Sequence, residues 1–383
     1  MSKKSKQVII GAADLQELIN SIKSAGYDLY GPTVRDSAIR LDRINSIDDL
    51  PRGFRDTQKP GTYKLEKSDS PDYFEHVVGI DNWKKLLYPA RRKLFNLTIE
   101  DQAFKFSEHE IDSPPLAFLG VRSCDLAAIE ILDKILMRGP YADQGYKHRR
   151  EKSLIIAVNC TSAAQSCFCT SMKTGPRAVS GFDLALTEIC QDNRHEFLIE
   201  IGTDKGAAIL ESLKTREAEN QDIKTVDHLV KQTAEAITRK LNTTDLKEIL
   251  FRNFENPIWE RISRRCLSCG NCTMVCPTCF CMNIEDLTDL EGETATRQRR
   301  WDSCFTLEHS YIHGGSVRTS VKSRYRQWLT HKLASWQDQF GSSGCTGCGR
   351  CITWCPVGID ITEEARNIRA SEHENNKSAK RKD

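Results

Sequence analysis

The sequence has no apolar run long enough to span a bilayer, no bias toward charge of one sign, and no glycine-rich loop of the kind that holds a nucleotide. Each absence excludes something. Without spanning segments, and with a mean hydropathy of −0.50, the chain reads as a soluble protein. The N-terminal stretch Met1-Ser-Lys-Lys-Ser-Lys-Gln7 is charged but has no apolar segment and small-residue cleavage site behind it, so no secretory signal is expected. With 55 basic against 53 acidic residues and a formal net charge of +2, there is no broad cationic field for nucleic acid. No G-x-G-x-x-G joins a strand to a helix, and neither G-x-x-x-x-G-K-[ST] nor Gly-x-Ser-x-Gly occurs. The chain therefore shows no nucleotide, flavin or hydrolase motif, and no catalytic residue is assigned.

What it does have is cysteine, sixteen in all across 383 residues. Eight fall in two runs of one pattern, C-x2-C-x2-C-x3-C-P. The first is Cys266-Leu-Ser-Cys269-Gly-Asn-Cys272-Thr-Met-Val-Cys276-Pro277, and the second is Cys345-Thr-Gly-Cys348-Gly-Arg-Cys351-Ile-Thr-Trp-Cys355-Pro356. This is the run that serves two [4Fe-4S] clusters in bacterial ferredoxins. Three thiolates spaced by three residues wrap a loop around three irons of a cubane, while the fourth points to the other cluster. The expected ligand sets are crossed, with Cys266, Cys269, Cys272 and Cys355 on one cluster and Cys345, Cys348, Cys351 and Cys276 on the other. The prolines end each ligand loop without needing a backbone donor. Gly270, Gly347 and Gly349 are read as removing side chains where backbone passes close to sulfur. Paired zinc sites would leave the third cysteine and the proline of each run without a reason, and plain core cysteines would not repeat the spacing. With half of the cysteines in such runs and no export signal, a reducing cytoplasm is the expected location.

In chain order, residues 8 to 26 read as a helix, with apolar positions at helical spacing in Ala12–Asn20 and Gly26 as its stop. Residues 27 to 115 read as short strands and loops. Leu116–Arg122, Ser153–Cys160, Leu184–Ile189 and Glu196–Gly202 read as strands, and Ser123 opens a helix that runs to Met137. This alternation gives an N-terminal α/β domain over residues 1–221. An amphipathic helical linker is expected over 222–255. An elaborated, mostly helical dicluster ferredoxin domain follows over 256–365, with a long insertion between its half-motifs. Residues 366–383 are expected to form a disordered tail.

Eight cysteines lie outside the two runs. Cys160, Cys167, Cys169, Cys279, Cys281 and Cys304 offer either a third metal site or small packing residues near the clusters; Cys124 and Cys190 complete the count. The segment between the half-motifs is basic, with Arg297, Arg299, Arg300, Arg318, Lys322, Arg324, Arg326 and Lys332. These cations either tune anionic clusters or line a solvated helix face. The histidines there, His309, His313 and His331, are read as structural.

Several segments together resemble the β subunit of cytoplasmic NiFe hydrogenases of the sulfhydrogenase type. They are Gly120-Val-Arg-Ser-Cys-Asp-Leu126, Val158-Asn-Cys-Thr161, Cys167-Phe-Cys-Thr-Ser-Met172 with Thr174-Gly-Pro176, Gly181-Phe-Asp-Leu184, Cys266 to Cys281, Trp301-Asp-Ser-Cys304 and His331-Lys332. The A subunit of anaerobic sulfite reductase is similar. The resemblance spans roughly residues 75 to 365 and implies two [4Fe-4S] clusters in an electron-transfer subunit. Its implied partners are a flavin-containing, NAD(P)-binding γ subunit and the NiFe small and large subunits, with sulfur or polysulfide as a further acceptor. The sulfite-reductase alternative implies a sirohaem partner, and a non-redox alternative leaves the clusters as structural staples.

Overall fold

The computed structural model describes residues 6–100, 103–108, 114–191 and 193–379. Its strands in chain order are β1 (Gln7–Gly11), β2 (Asp28–Arg35), β3 (Ala38–Arg43), β4 (Phe54–Lys59), β5 (Thr62–Lys67), β6 (Arg91–Glu100) and β7 (Ala103–Glu108). Then come β8 (Leu116–Val121), β9 (Leu154–Val158), β10 (Leu184–Gln191), β11 (Arg194–Ile201), β12 (Arg216–Glu217), β13 (Met282–Thr288), β14 (Thr294–Trp301) and the short pair β15 (Tyr311–Ile312) and β16 (Gly315–Ser316). Eight of them form one sheet in the order β12-β1-β11-β10-β9-β8-β2-β3. Its centre is parallel, β2 with β8, β8 with β9 and β9 with β10. The strands read as continuous apolar runs because helices or loops cover both faces. Ala117, Leu119, Ile156 and Leu186 face one core with the helix Leu15–Ser24, while Phe118, Ile155 and Ala185 face the other with Ser123–Leu136.

The expected first helix is a strand followed by a helix. Gln7–Gly11 is rich in β-branched residues, and pairing of Ile9 with Leu198 on β11 holds it extended. The expected linker helix is broken as well. One helix spans Asn220–Ala236, another Leu246–Arg252, and the chain between them packs Ile237 and Leu241 into two different cores. At the C-terminus the helix Ile361–Ala379 runs through the stretch where a tail was expected; residues 380–383 lie outside the described residues.

The insertion between the half-motifs is not mostly helical. It opens as the hairpin β13–β14, and β14 pairs with β6 from the N-terminal half, from Thr294 opposite Thr98 to Arg300 opposite Arg91. The alternating Thr-Ala-Thr-Arg-Gln-Arg-Arg-Trp of β14 carries few apolar residues, so its strand character rests on this partner. Helical structure follows only later, at Val321–Thr330 and, after a π-helical turn at His331–Ser335, Trp336–Phe340. Among the described residues no helix is long and apolar enough to cross a membrane.

Candidate iron–sulfur site

Each cysteine run is a short loop leading into one helical turn, Asn271–Met274 in the first and Arg350–Thr353 in the second. A pocket at the first run is lined by Cys266, Cys269, Cys272 and, from the second run, Cys351 and Cys355. Cys276 of the first run lies on the other side, within electrostatic reach of Cys345, Cys348 and Cys351. Cys269 is exposed, whereas Cys276 and Cys348 are buried.

The surroundings suit clusters better than single ions. Backbone N–H groups donate to sulfur at three ligand positions: Ser268 to Cys266 at 3.4 Å, Gly347 to Cys345 at 3.4 Å and Ile359 to Cys355 at 3.3 Å. Such bonds stabilise charge on sulfur. A tetrahedral zinc ion would hold its sulfurs about 3.8 Å apart. Among the described residues, the only three metal-ligating groups whose ligand atoms all lie within 4.8 Å of one another are Asp72, Cys190 and His195. No three thiols of the two runs lie within that distance of one another.

Buried cations complete the site. Lys332 is 4% exposed, and its Nζ donates to Cys276 Sγ at 3.2 Å, Thr278 Oγ1 at 3.2 Å and Gly344 O at 3.1 Å, with Cys279 Sγ at 3.6 Å. Burial opposes its charge, but the sulfurs of Cys276 and Cys279 hold the ammonium well above its usual range. In return Cys276, bonded to Cys279 and facing Lys332, is held well below the usual thiol range. Burial raises the thiols of Cys266, Cys272, Cys348 and Cys351 and pushes Cys345 up to about 12. Arg324 donates to Ser268 Oγ in the first loop at 3.2 Å. The remaining basic residues do other work. Arg297 pairs with Asp286 at 2.6 Å, Arg299 with Asp143 at 2.6 Å, Arg300 with Glu285, Lys322 with Glu260 at 3.3 Å and Arg326 with Glu255 at 2.9 Å. Arg318 donates to Ser310 Oγ at 3.1 Å.

Two features were not legible in the sequence. Arg350, inside the second run, is 2% exposed and forms a bidentate pair with Asp125 at 2.7 and 2.9 Å. This bolts the second run onto the first turn of the helix that follows β8. The glycines of that run have a different reason from the one expected. A Cβ on Gly347 would lie 2.7 Å from the backbone of Cys169, and one on Gly349 2.5 Å from Ser166 O. Their bare backbones admit the 166–169 loop rather than a sulfur.

The six further candidate cysteines do not assemble into one site. Cys279, Cys281 and Cys304 lie near Cys276 and Lys332. His309, read as structural, bonds to Cys281 there and donates from Nδ1 toward Asp302 at 2.9 Å. Cys160, Cys167 and Cys169 lie elsewhere, with Cys124. Cys190 stands apart with Asp72 and His195.

Comparison with known proteins agrees with this chemistry. The family described as "4Fe-4S dicluster domain" matches residues 265–359, which enclose all eight cysteines of the two runs. The chain is 29% identical to sulfhydrogenase 2 subunit beta of Pyrococcus furiosus over 360 residues, covering 92% of this chain and 95% of that protein. No solved structure matches. The resemblance read from the motifs thus extends along nearly the whole chain, and an iron–sulfur electron-transfer role follows from it together with the dicluster domain.

Proposed function

We propose that this chain is the electron relay of a cytoplasmic hydrogenase or sulfur-reductase complex. It passes electrons between a flavin- and NAD(P)-binding subunit and NiFe hydrogenase subunits. The observation that carries the reading is the pair of cysteine runs with their N–H···S donors and the buried Lys332. The crossed assignment is supported by Cys355 lining the pocket of Cys266, Cys269 and Cys272, and by Cys276 lying with Cys345, Cys348 and Cys351. Two [4Fe-4S] clusters held there supply one-electron steps at low potential. The protein's own part is to hold the thiolates, exclude water and set the potentials through amides and cations. Exposed Cys269, beside Leu267 at 62% exposure, marks the surface where a partner's redox centre approaches. All sixteen cysteines are free, which suits a reducing compartment.

The test is anaerobic purification of the tagged chain from its native cells, with metal and cofactor analysis of what accompanies it. Flavin and nickel in the complex, with two centres that cycle reversibly in a redox titration, are the expected result. Sirohaem in their place would move the assignment to sulfite reduction, and centres that do not cycle would reduce the clusters to staples.

A further inference from the structure

Four cysteines outside the ferredoxin runs come together from separate segments. Cys124 follows β8 at the start of the helix Ser123–Leu136, and Cys160 follows β9. Both therefore sit at the carboxyl ends of adjacent parallel strands, where open α/β sheets bind their ligands. The loop after β9 then brings up Cys167 and Cys169. Cys124, Cys167 and Cys169 pack in one buried group that also contains Cys348 of the second run. Gly175 wedges beside them: a Cβ there would lie 3.1 Å from Cys169 Sγ and 3.5 Å from Ser123 Cβ. The loop is pinned to the second run by the bond from Phe168 N to Gly347 O at 2.9 Å.

A buried cation faces this quartet. Arg122 is 3% exposed. Its guanidinium donates to the carbonyls of Phe74 at 2.9 Å, His76 at 2.6 Å and Asn159 at 3.3 Å, and it reaches the Cys160 thiol. None of these partners is a carboxylate. The buried Asp56 carboxylate lies within electrostatic reach of this guanidinium, and the Cys160 thiol faces it directly, so a cluster held by these thiolates would add anionic charge beside a cation already desolvated. No three of these sulfurs lie within 4.8 Å of one another, so they do not form a preset single-ion site.

We infer that Cys124, Cys160, Cys167 and Cys169 bind a third [4Fe-4S] cluster, which lies beside Cys348 and extends the relay into the α/β half of the chain. Its role in the relay, one electron in and one out, rests on the function proposed above; the ligand set does not.

The test compares iron and acid-labile sulfide in the anaerobically purified full chain with the Cys167→Ser/Cys169→Ser double variant. Cys190→Ser serves as the control. The wild type should exceed the roughly eight irons of two cubanes. The double variant should lose about four irons and four sulfides while keeping the EPR signals of the two ferredoxin centres, and Cys190→Ser should lose none. Cys160→Ser is the second variant, because Cys160 is less buried than Cys124, Cys167 and Cys169; it should convert one centre to a [3Fe-4S] signal. Wild-type iron of about eight, unchanged iron in a folded double variant, or zinc in place of the missing irons would each overturn the inference. Retention of the two ferredoxin signals in any of these cases leaves the relay itself standing.

Discussion

Lys332 should set the potential of the second cluster, and Lys332→Gln measures by how much. The glutamine keeps a hydrogen-bond donor near Cys276 Sγ, where the ammonium now sits at 3.2 Å, but removes the charge. An electron added to the cubane lies farther off than the sulfur, about 6 Å from the ammonium. With an effective dielectric of about 20, the cation then favours the reduced state by about 3 kcal/mol. For a one-electron couple this is about 120 mV, and water entering the enlarged pocket would trim it to about 100 mV. The potential should fall, because losing a cation makes reduction harder. An EPR-monitored redox titration on the anaerobic chain separates the two centres. The one ligated by Cys345, Cys348, Cys351 and Cys276 should shift and its neighbour should shift less, while Lys332→Arg should restore most of the value. A shift below about 20 mV, or one upward, at full iron content would refute the electrostatic account.

Cys276→Ser should cost the cluster of the Cys345 set and spare that of the Cys266 set; iron analysis with EPR would expose an uncrossed arrangement if the losses were reversed. Asp125→Ala leaves Arg350 buried at 2% exposure without its carboxylate, so the anaerobic unfolding midpoint should drop by the equivalent of about 3–5 kcal/mol. Adding Arg350→Met should recover much of that loss. The Asp222 carboxylate accepts from Arg216, Arg194 and the Glu219 amide, which hold it well below the usual carboxylate range. Its stabilising contribution is therefore complete above about pH 4 and is lost as the pH falls through the depressed folded value. Asp222→Asn should flatten that acid limb in pH-dependent unfolding, and an unchanged limb would remove Asp222 from the account.

The two cysteine runs were legible in the sequence because the chemistry is local: about a dozen residues fix where each thiol points. The parallel strands β8, β9 and β10 were legible for a similar reason, since burial on both faces demands continuous apolar residues. Lys332 stood out only as one of several cations. Most of those turned out to neutralise carboxylates such as Asp286 and Asp143, while Lys332 alone was aimed at Cys276. The polar β14 was missed because its strand form depends on β6, far away in the chain. The bond between Asp125 and Arg350, and the meeting of Cys124 and Cys160 with Cys167 and Cys169, have no signature in spacing either. The sequence by itself determined the cysteine pattern of the ferredoxin runs and the iron–sulfur electron-transfer chemistry it serves. Only the tertiary structure decided which other thiols and cations share that environment, because their convergence is set by sheet order and core packing between segments that are remote in the chain.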